Sequence, residues 1–144
     1  MLLRKAERRH RLETADYRRL AAFRAALREF LHFSEDAAAR VGLTAQHYQA
    51  MLMLRARVDE PVTINDLARE LLIRHNSAVG LVDRLVGEGL VLREASKADR
   101  RKVELRLSAR GRQVLAKLAG MHRRELERIG PVLKRLIADV FDGQ

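Results

Sequence analysis

Asn76-Ser77-Ala78-Val79-Gly80-Leu81-Val82-Asp83-Arg84-Leu85-Val86, then Gly87-Glu88-Gly89, then Leu90-Val91-Leu92-Arg93 contains the change of period that decides the fold. Val79, Val82, Leu85 and Val86 return at steps of three and four, the spacing of one inward helical face. Gly87 and Gly89 are the residues expected to close such a helix. Beyond them the repeat shortens to two: Leu90 and Leu92 alternate with Val91 and Arg93. After a polar loop, Val103, Leu105 and Leu107 alternate with Lys102, Glu104 and Arg106. Alternation on both sides of a loop predicts a two-stranded hairpin with one buried face, Leu90 and Leu92 inward.

Working outward toward the N-terminus, Thr63 with Asp66 three residues on reads as a capping box for a short helix burying Leu67, Ala68, Leu71 and Leu72. Pro61, after Asp59-Glu60, ends the preceding stretch, which starts at Thr44 and carries Tyr48, Met51, Leu52 and Leu54. Val41-Gly42-Leu43 separates it from a long helix over Thr14 to Phe33, capped by Thr14, with a stripe of Tyr17, Leu20, Phe23, Leu27, Phe30 and Leu31. On the C-terminal side Ser108 caps another long helix, with Leu115, Leu118, His122, Leu126 and Ile129 on one face. Gly130-Pro131 is expected to interrupt it before a last helix with Leu133, Leu136, Ile137, Val140 and Phe141.

The fold class is therefore mainly α with a small β-hairpin wing. Two short helices, a tight turn and a basic hairpin make a winged helix-turn-helix, in which the second short helix enters the major groove and the hairpin reaches an adjacent backbone or minor groove. A reading helix needs small or polar residues on its outer face, and Asn76, Ser77, Gly80 and Arg84 meet that demand. At the hairpin tip, Lys97-Ala98-Asp99-Arg100-Arg101-Lys102 sets four cations around one acid. The chain as a whole carries 29 Lys plus Arg against 19 Asp plus Glu, a net charge of +10, which calls for a polyanionic partner.

The same residues resemble the MarR family of bacterial regulators. Ser77 to Leu85 followed by Gly89-Leu90-Val91 is similar to that family's reading helix and first wing strand, and Asp99-Arg100-Arg101 followed by Val103, Leu105, Leu107, Ser108 and Gly111 is similar to its wing and the exit into the next helix. The resemblance covers nearly the whole chain. It implies a homodimer with the first and last helices at the interface, and transcriptional repression relieved in many members by a small aromatic or phenolic ligand. It also implies that Asp99 pairs with a wing Arg and orients it. Two positions depart from the pattern. Gly80 stands where many relatives place a larger polar or basic residue. Leu72 stands where such turns often have Gly, which predicts a differently shaped turn with Arg74 and His75 inside it.

The expected organisation is one chain in three parts: residues 1–36 as an N-terminal dimerisation helix, 44–107 as the DNA-binding lobe and 108–144 as C-terminal dimerisation helices. The expected contacts with a pseudo-palindromic double-stranded DNA operator are Arg74, His75, Asn76, Ser77, Gly80 and Arg84 from the reading unit, with Lys97, Asp99, Arg100, Arg101 and Lys102 from the wing. Arg84 has a second reading, an ion pair with Asp83 or Glu88. For a ligand, the resemblance implies a cleft between the dimerisation helices and the DNA-binding lobe, with Phe30, His47, Tyr48 and Met51 as candidate lining residues, although aromatic and Met residues at helical spacing more often read as plain core.

Other classes find little support. No nucleophile setting, Gly-rich phosphate loop or acid cluster is present, so no enzyme is expected. The five histidines lack metal-ligand spacing and there is no cysteine, so neither a metal, a cofactor nor a thiol switch is expected. No apolar run spans a bilayer and the start does not read as a secretory signal, which makes the cytoplasm the expected compartment. A basic N-terminal arm with Leu2 and Leu3 against a membrane is undercut by the lack of Trp. The strongest alternative is a winged-helix module that binds protein or RNA without an operator.

Overall fold

The computed structural model describes residues 11–142; the expectations placed on Leu2, Leu3, His10 and the basic start of the chain lie outside them. Helix α1 spans Thr14–Ala39, α2 Ala45–Ala56, α3 Ile64–Leu71 and α4 His75–Gly87; strands β1 (Val91–Ala95) and β2 (Val103–Leu107) follow, and α5 runs Ala109–Asp142. This is the expected winged helix: mainly helical, with one antiparallel hairpin. The chain divides into two compact units, residues 34–123 and the remainder on either side of them. The division falls inside the two long helices.

Within residues 34–123 the core is built by caps as much as by stripes. At α2, Thr44 Oγ1 accepts the His47 N–H (3.3 Å) while the Thr44 N–H donates to His47 Nδ1 (3.0 Å), a reciprocal box with histidine in the usual Glu or Gln position. At α3 the box is Thr63 with Asp66, whose carboxylate accepts the Thr63 N–H at 2.9 Å. That main-chain bond is the largest influence holding the Asp66 carboxyl below its ordinary range. Met51, Leu67, Leu85 and Leu118 are fully buried where α2, α3, α4 and the start of α5 supply the core. The wing is tied in by the Leu105 N–H, which donates to the Val62 carbonyl at 2.8 Å.

Several expectations need correction. Thr14 is the first helical residue of α1, not its cap; the Asp16 carboxylate takes the preceding Glu13 N–H instead. The helix continues past Phe33 to Ala39 because Ser34, Ala37 and Ala38 bury its last turns. Leu52 is exposed, and Met53 takes its place inside α2. In the hairpin, Val91 pairs with Leu107 and Arg93 with Leu105, so the buried face carries Val91 and leaves Leu92 outside, opposite Arg106. Leu90 is buried for a different reason: its N–H closes the end of α4 on the Leu85 carbonyl, and the strand starts one residue later. Pro131 does not end the C-terminal helix, which runs unbroken through it. Proline's fixed φ suits helical backbone, so the helix continues at the cost of the bond that residue's N–H would have made and of crowding between its ring and the carbonyl four residues back.

The turn of the helix-turn-helix is short. Leu72 adopts φ 55°, ψ 41° and caps α3 from the left-handed region, Arg74 is the N-cap residue of α4, and His75 is already helical. The turn therefore keeps the shape a glycine would give it, with a leucine that is 92% exposed. A left-handed conformation costs a side-chain-bearing residue about 1–2 kcal/mol. Leu72→Gly is accordingly expected to raise the melting temperature by roughly 2–4 °C once glycine's larger unfolded-state entropy is allowed for. Thermal unfolding followed by circular dichroism checks this, and a lower melting temperature would show that the leucine makes an offsetting contact.

Candidate nucleic-acid interface

Helix α4 turns Ala78, Leu81, Val82 and Leu85 into the core. That leaves Asn76, Ser77, Gly80, Asp83 and Arg84 exposed on the opposite side. The expected reading face is therefore solvent-accessible and made of small or polar groups. His75, beside it in the first turn, is oriented by Asn65 of α3, whose Oδ1 lies 2.7 Å from His75 Nδ1. Arg84 is anchored along the helix, with Nη2 3.2 Å from the Glu88 carboxylate and 3.4 Å from the Gly42 carbonyl oxygen. Of the two acids offered as partners of Arg84 the structure takes Glu88, and Asp83 bridges instead to Arg93 on β1. That bridge neutralises the one acid on the reading face and joins the reading helix to the wing.

The wing tip is a hydrogen-bonded turn, not a loose loop. Ser96, buried to 5% exposure, accepts the Ala98 and Asp99 N–H groups on its hydroxyl, and its own N–H donates to the Lys102 carbonyl at 2.9 Å. The Lys102 N–H donates to the Asp99 carbonyl (2.9 Å) and the Arg101 N–H to the Asp99 carboxylate (3.0 Å). Asp99 thus meets Arg101 through the main chain, not through an ion pair with a guanidinium. Lys97, Arg100, Arg101 and Lys102 are all exposed, and among the described residues none of them pairs with a carboxylate. In contrast, Arg93 and Arg106, further down the hairpin, are both paired, Arg106 with Glu94.

Three of the four candidate ligand-lining residues, His47, Tyr48 and Met51, lie in the 34–123 unit. Met51 is fully buried and Tyr48 is 7% exposed; the Tyr48 ring stacks on His122 at 4.0 Å between centroids, and burial pushes its hydroxyl pKa up. His122 bonds Ser34 Oγ (2.8 Å) and the Leu118 carbonyl (2.7 Å), so these side chains are core of the 34–123 unit. Phe30 is half-buried and belongs to the other unit. His47 opens instead onto a surface hollow of about 450 Å³ shared with Gly42, Thr44, Ser77, Gly80 and Arg84. Burial, then the charge of Arg84, lowers its pKa against a smaller opposing effect of Glu35. A larger hollow of about 600 Å³ lies behind the wing, lined by charges of both signs that include Arg57, Glu60, Glu94 and Arg112. Among the described residues no group of His, Asp and Glu fits a metal ion, and no helix is long and apolar enough to cross a membrane.

Sequence reading missed Asn65, Asp83, Arg93 and Ser96 as supports of this surface. Only Ser96, a serine three residues ahead of an aspartate in a polar loop, left a recognisable turn signal.

Residues 41–102 match the model of the MarR family. No curated protein matches the chain. Among solved structures, RV1404 from Mycobacterium tuberculosis is 25% identical with a TM-score of 0.70, covering 92% of this chain and 96% of its own. MepR, a transcription regulator of the Staphylococcus aureus multidrug efflux pump MepA, is 16% identical with a TM-score of 0.73, covering 83% of this chain and 91% of its own. A MepR mutant from S. aureus bound to an oligodeoxyribonucleotide is 17% identical with a TM-score of 0.67, covering 82% and 94%.

Proposed function

From the premise that residues 41–102 form a MarR-family winged helix, we propose that the chain is a non-enzymatic transcription regulator that binds duplex DNA as a homodimer. The observation that carries this reading is the pairing pattern of the cations. The four at the wing tip are free of carboxylates on a braced turn, whereas the other hairpin arginines are spent on ion pairs. An ordered, unneutralised cationic tip beside a small polar helix face is what phosphate contact and groove entry require. The MepR mutant held on an oligodeoxyribonucleotide in the same fold supports the same reading.

In this proposal Asn76, Ser77, His75 and Arg84 face the major groove, while Arg100, Arg101, Lys97 and Lys102 meet the backbone or minor groove, with Arg74 at the entrance of α4. The homodimer is supported by apolar side chains left exposed on the two long helices: Tyr17, Leu20 and Leu31 on α1, and Leu126, Ile137 and Phe141 on α5. Two-fold pairing of these faces gives two reading heads and hence a pseudo-palindromic operator. Repression is the proposed output and a small aromatic or phenolic molecule the proposed release signal, since a chain without cysteine has no thiol to oxidise.

Selection from randomised duplexes tests the reading. The wild-type chain is expected to sediment as a dimer at micromolar concentration and to enrich an inverted repeat over its scrambled form. Asn76→Ala and Ser77→Ala are each expected to relax preference at one position per half-site, by about 1–3 kcal/mol per base pair. Enrichment of single-stranded RNA in place of duplex, or no nucleic acid bound at all, would transfer the reading to an RNA or protein module.

A further inference from the structure

The hollow between α2 and α4 has features that the reading face alone does not explain. A Cβ built at Gly80 meets nothing within 4 Å, so the outer face of α4 has a gap at its centre. The gap opens into the hollow of about 450 Å³, which has His47 of α2, Ser77 and Arg84 among its walls. No carboxylate is among the residues that line it.

His47 is fixed in both orientation and tautomer. Its Nδ1 accepts the Thr44 N–H at 3.0 Å and lies 2.8 Å from Thr44 Oγ1. A nitrogen that accepts a main-chain N–H carries no proton, so the neutral ring bears its proton on Nε2. The capping box therefore leaves a single ring donor for the hollow. Arg84 is held in the same wall by the Gly42 carbonyl and by Glu88, both through Nη2, which leaves the N–H groups of Nε and Nη1 to meet an anion. A fixed N–H donor and a fixed guanidinium around an opening with no side chain at its centre suit a tetrahedral anion. The position on the proposed groove-facing side of α4 makes the source of that anion a strand of DNA.

We propose that this hollow is a phosphodiester subsite of the DNA interface, in which His47 Nε2–H and the Arg84 guanidinium hold one backbone phosphate over Gly80. The proposal rests on the duplex-binding reading above. It makes His47 a DNA contact supplied from outside the helix-turn-helix. It also accounts for Gly80, because a longer side chain there would occupy the phosphate's place.

Two variants separate this role from a structural one. His47→Glu keeps the Thr-x-x-Glu form of the capping box, so α2 retains its cap, and sets a carboxylate against the phosphate. Gly80→Leu fills the gap without a clash at Cβ and replaces glycine by a better helix former. Gln49→Glu, exposed on α2 and outside the hollow, controls for charge alone. Fluorescence anisotropy over a salt series, with operator and scrambled duplexes, is the measurement. His47→Glu and Gly80→Leu are each expected to melt no lower than wild type. Each is also expected to bind both duplexes roughly tenfold more weakly and to flatten the log K against log salt slope by about 0.9. Gln49→Glu is expected to stay within about twofold of wild type.

If both variants keep wild-type affinity and slope while Arg100→Ala with Arg101→Ala weakens binding, duplex binding stands and the subsite is overturned. If duplex binding is unchanged but inorganic phosphate raises the melting temperature of wild type alone, the hollow takes a free anion and the subsite is likewise overturned. If the wild-type chain binds no duplex, the functional reading fails first and the subsite falls with it.

Discussion

Gly111→Ala is expected to remove about 3 kcal/mol of stability and to lower the melting temperature by roughly 10 °C. Gly111 lies in the first turn of α5, where the helix crosses the end of the reading unit. A Cβ there would lie 2.0 Å from the Leu90 carbonyl oxygen and 3.0 Å from its carbon. The obstruction is main chain, so no rotamer change relieves it. That carbonyl is also engaged: it accepts the Ser108 N–H at 3.0 Å. Ser108 Oγ in turn donates to the Gly89 carbonyl at 2.6 Å and accepts the Gly111 N–H at 2.9 Å. Moving the turn aside to admit a methyl group disturbs all three bonds. The damage falls at the junction of α4, β1 and α5, so duplex affinity should fall alongside stability. Calorimetric melting tests this directly; a midpoint within a degree of wild type would mean that α5 does not start against Leu90.

The second large effect is expected at the wing tip and leaves the fold alone. Arg100→Ala combined with Arg101→Ala removes two exposed guanidiniums whose side chains make no ion pair, and the melting temperature should not move by more than about a degree. Binding should weaken about a hundredfold, equally for operator and scrambled duplexes, because the contacts are to phosphate. The salt slope should lose about 0.9 for each contact, close to 1.8 for the pair. Specificity ratios should hold while absolute affinities collapse. Unchanged affinity and slope would remove the wing from the interface.

Much of this architecture was legible in the sequence. Periodicity located the helices and both strands, most directly in the 34–123 unit, where the apolar spacing records a buried face; in α1 the same spacing marks a stripe whose Tyr17, Leu20 and Leu31 are exposed in the single chain. The box at Thr63 and the caps at Thr44 and Ser108 were readable because a cap is a local device, while the return bond of His47 at Thr44 was not. Failures came where one residue type served two causes. Leu90 and Leu92 look like an inward pair, but Leu90 is buried by the closure of α4 and the strand's parity starts at Val91. Pro131 reads as a break, yet helical backbone continues through it. Leu72 suggested a differently shaped turn, but the left-handed conformation that glycine favours is imposed on a leucine. For the candidate site, the exposure of the outer residues of α4 and of the wing cations was legible by type and spacing. Their supports were not: Asn65 acts on His75 from ten residues away and Arg93 on Asp83 from another element, and such pairings exist only once the chain is folded.

The Asp83–Arg93 bridge has a kinetic consequence. It joins α4 to β1, and the Val62–Leu105 bond anchors β2 to the segment ahead of α3, so in the proposed complex the outer face of α4 and the wing tip would act as one bivalent probe with a short, stiff linker. Once either surface touches DNA, the other is presented at an effective concentration set by that linker. Engagement of the second surface is then intramolecular and fast, and departure requires both to release within the same brief interval. Cutting the link with Asp83→Asn, which deletes no predicted DNA contact, should shorten the lifetime of the complex and leave its association rate nearly unchanged.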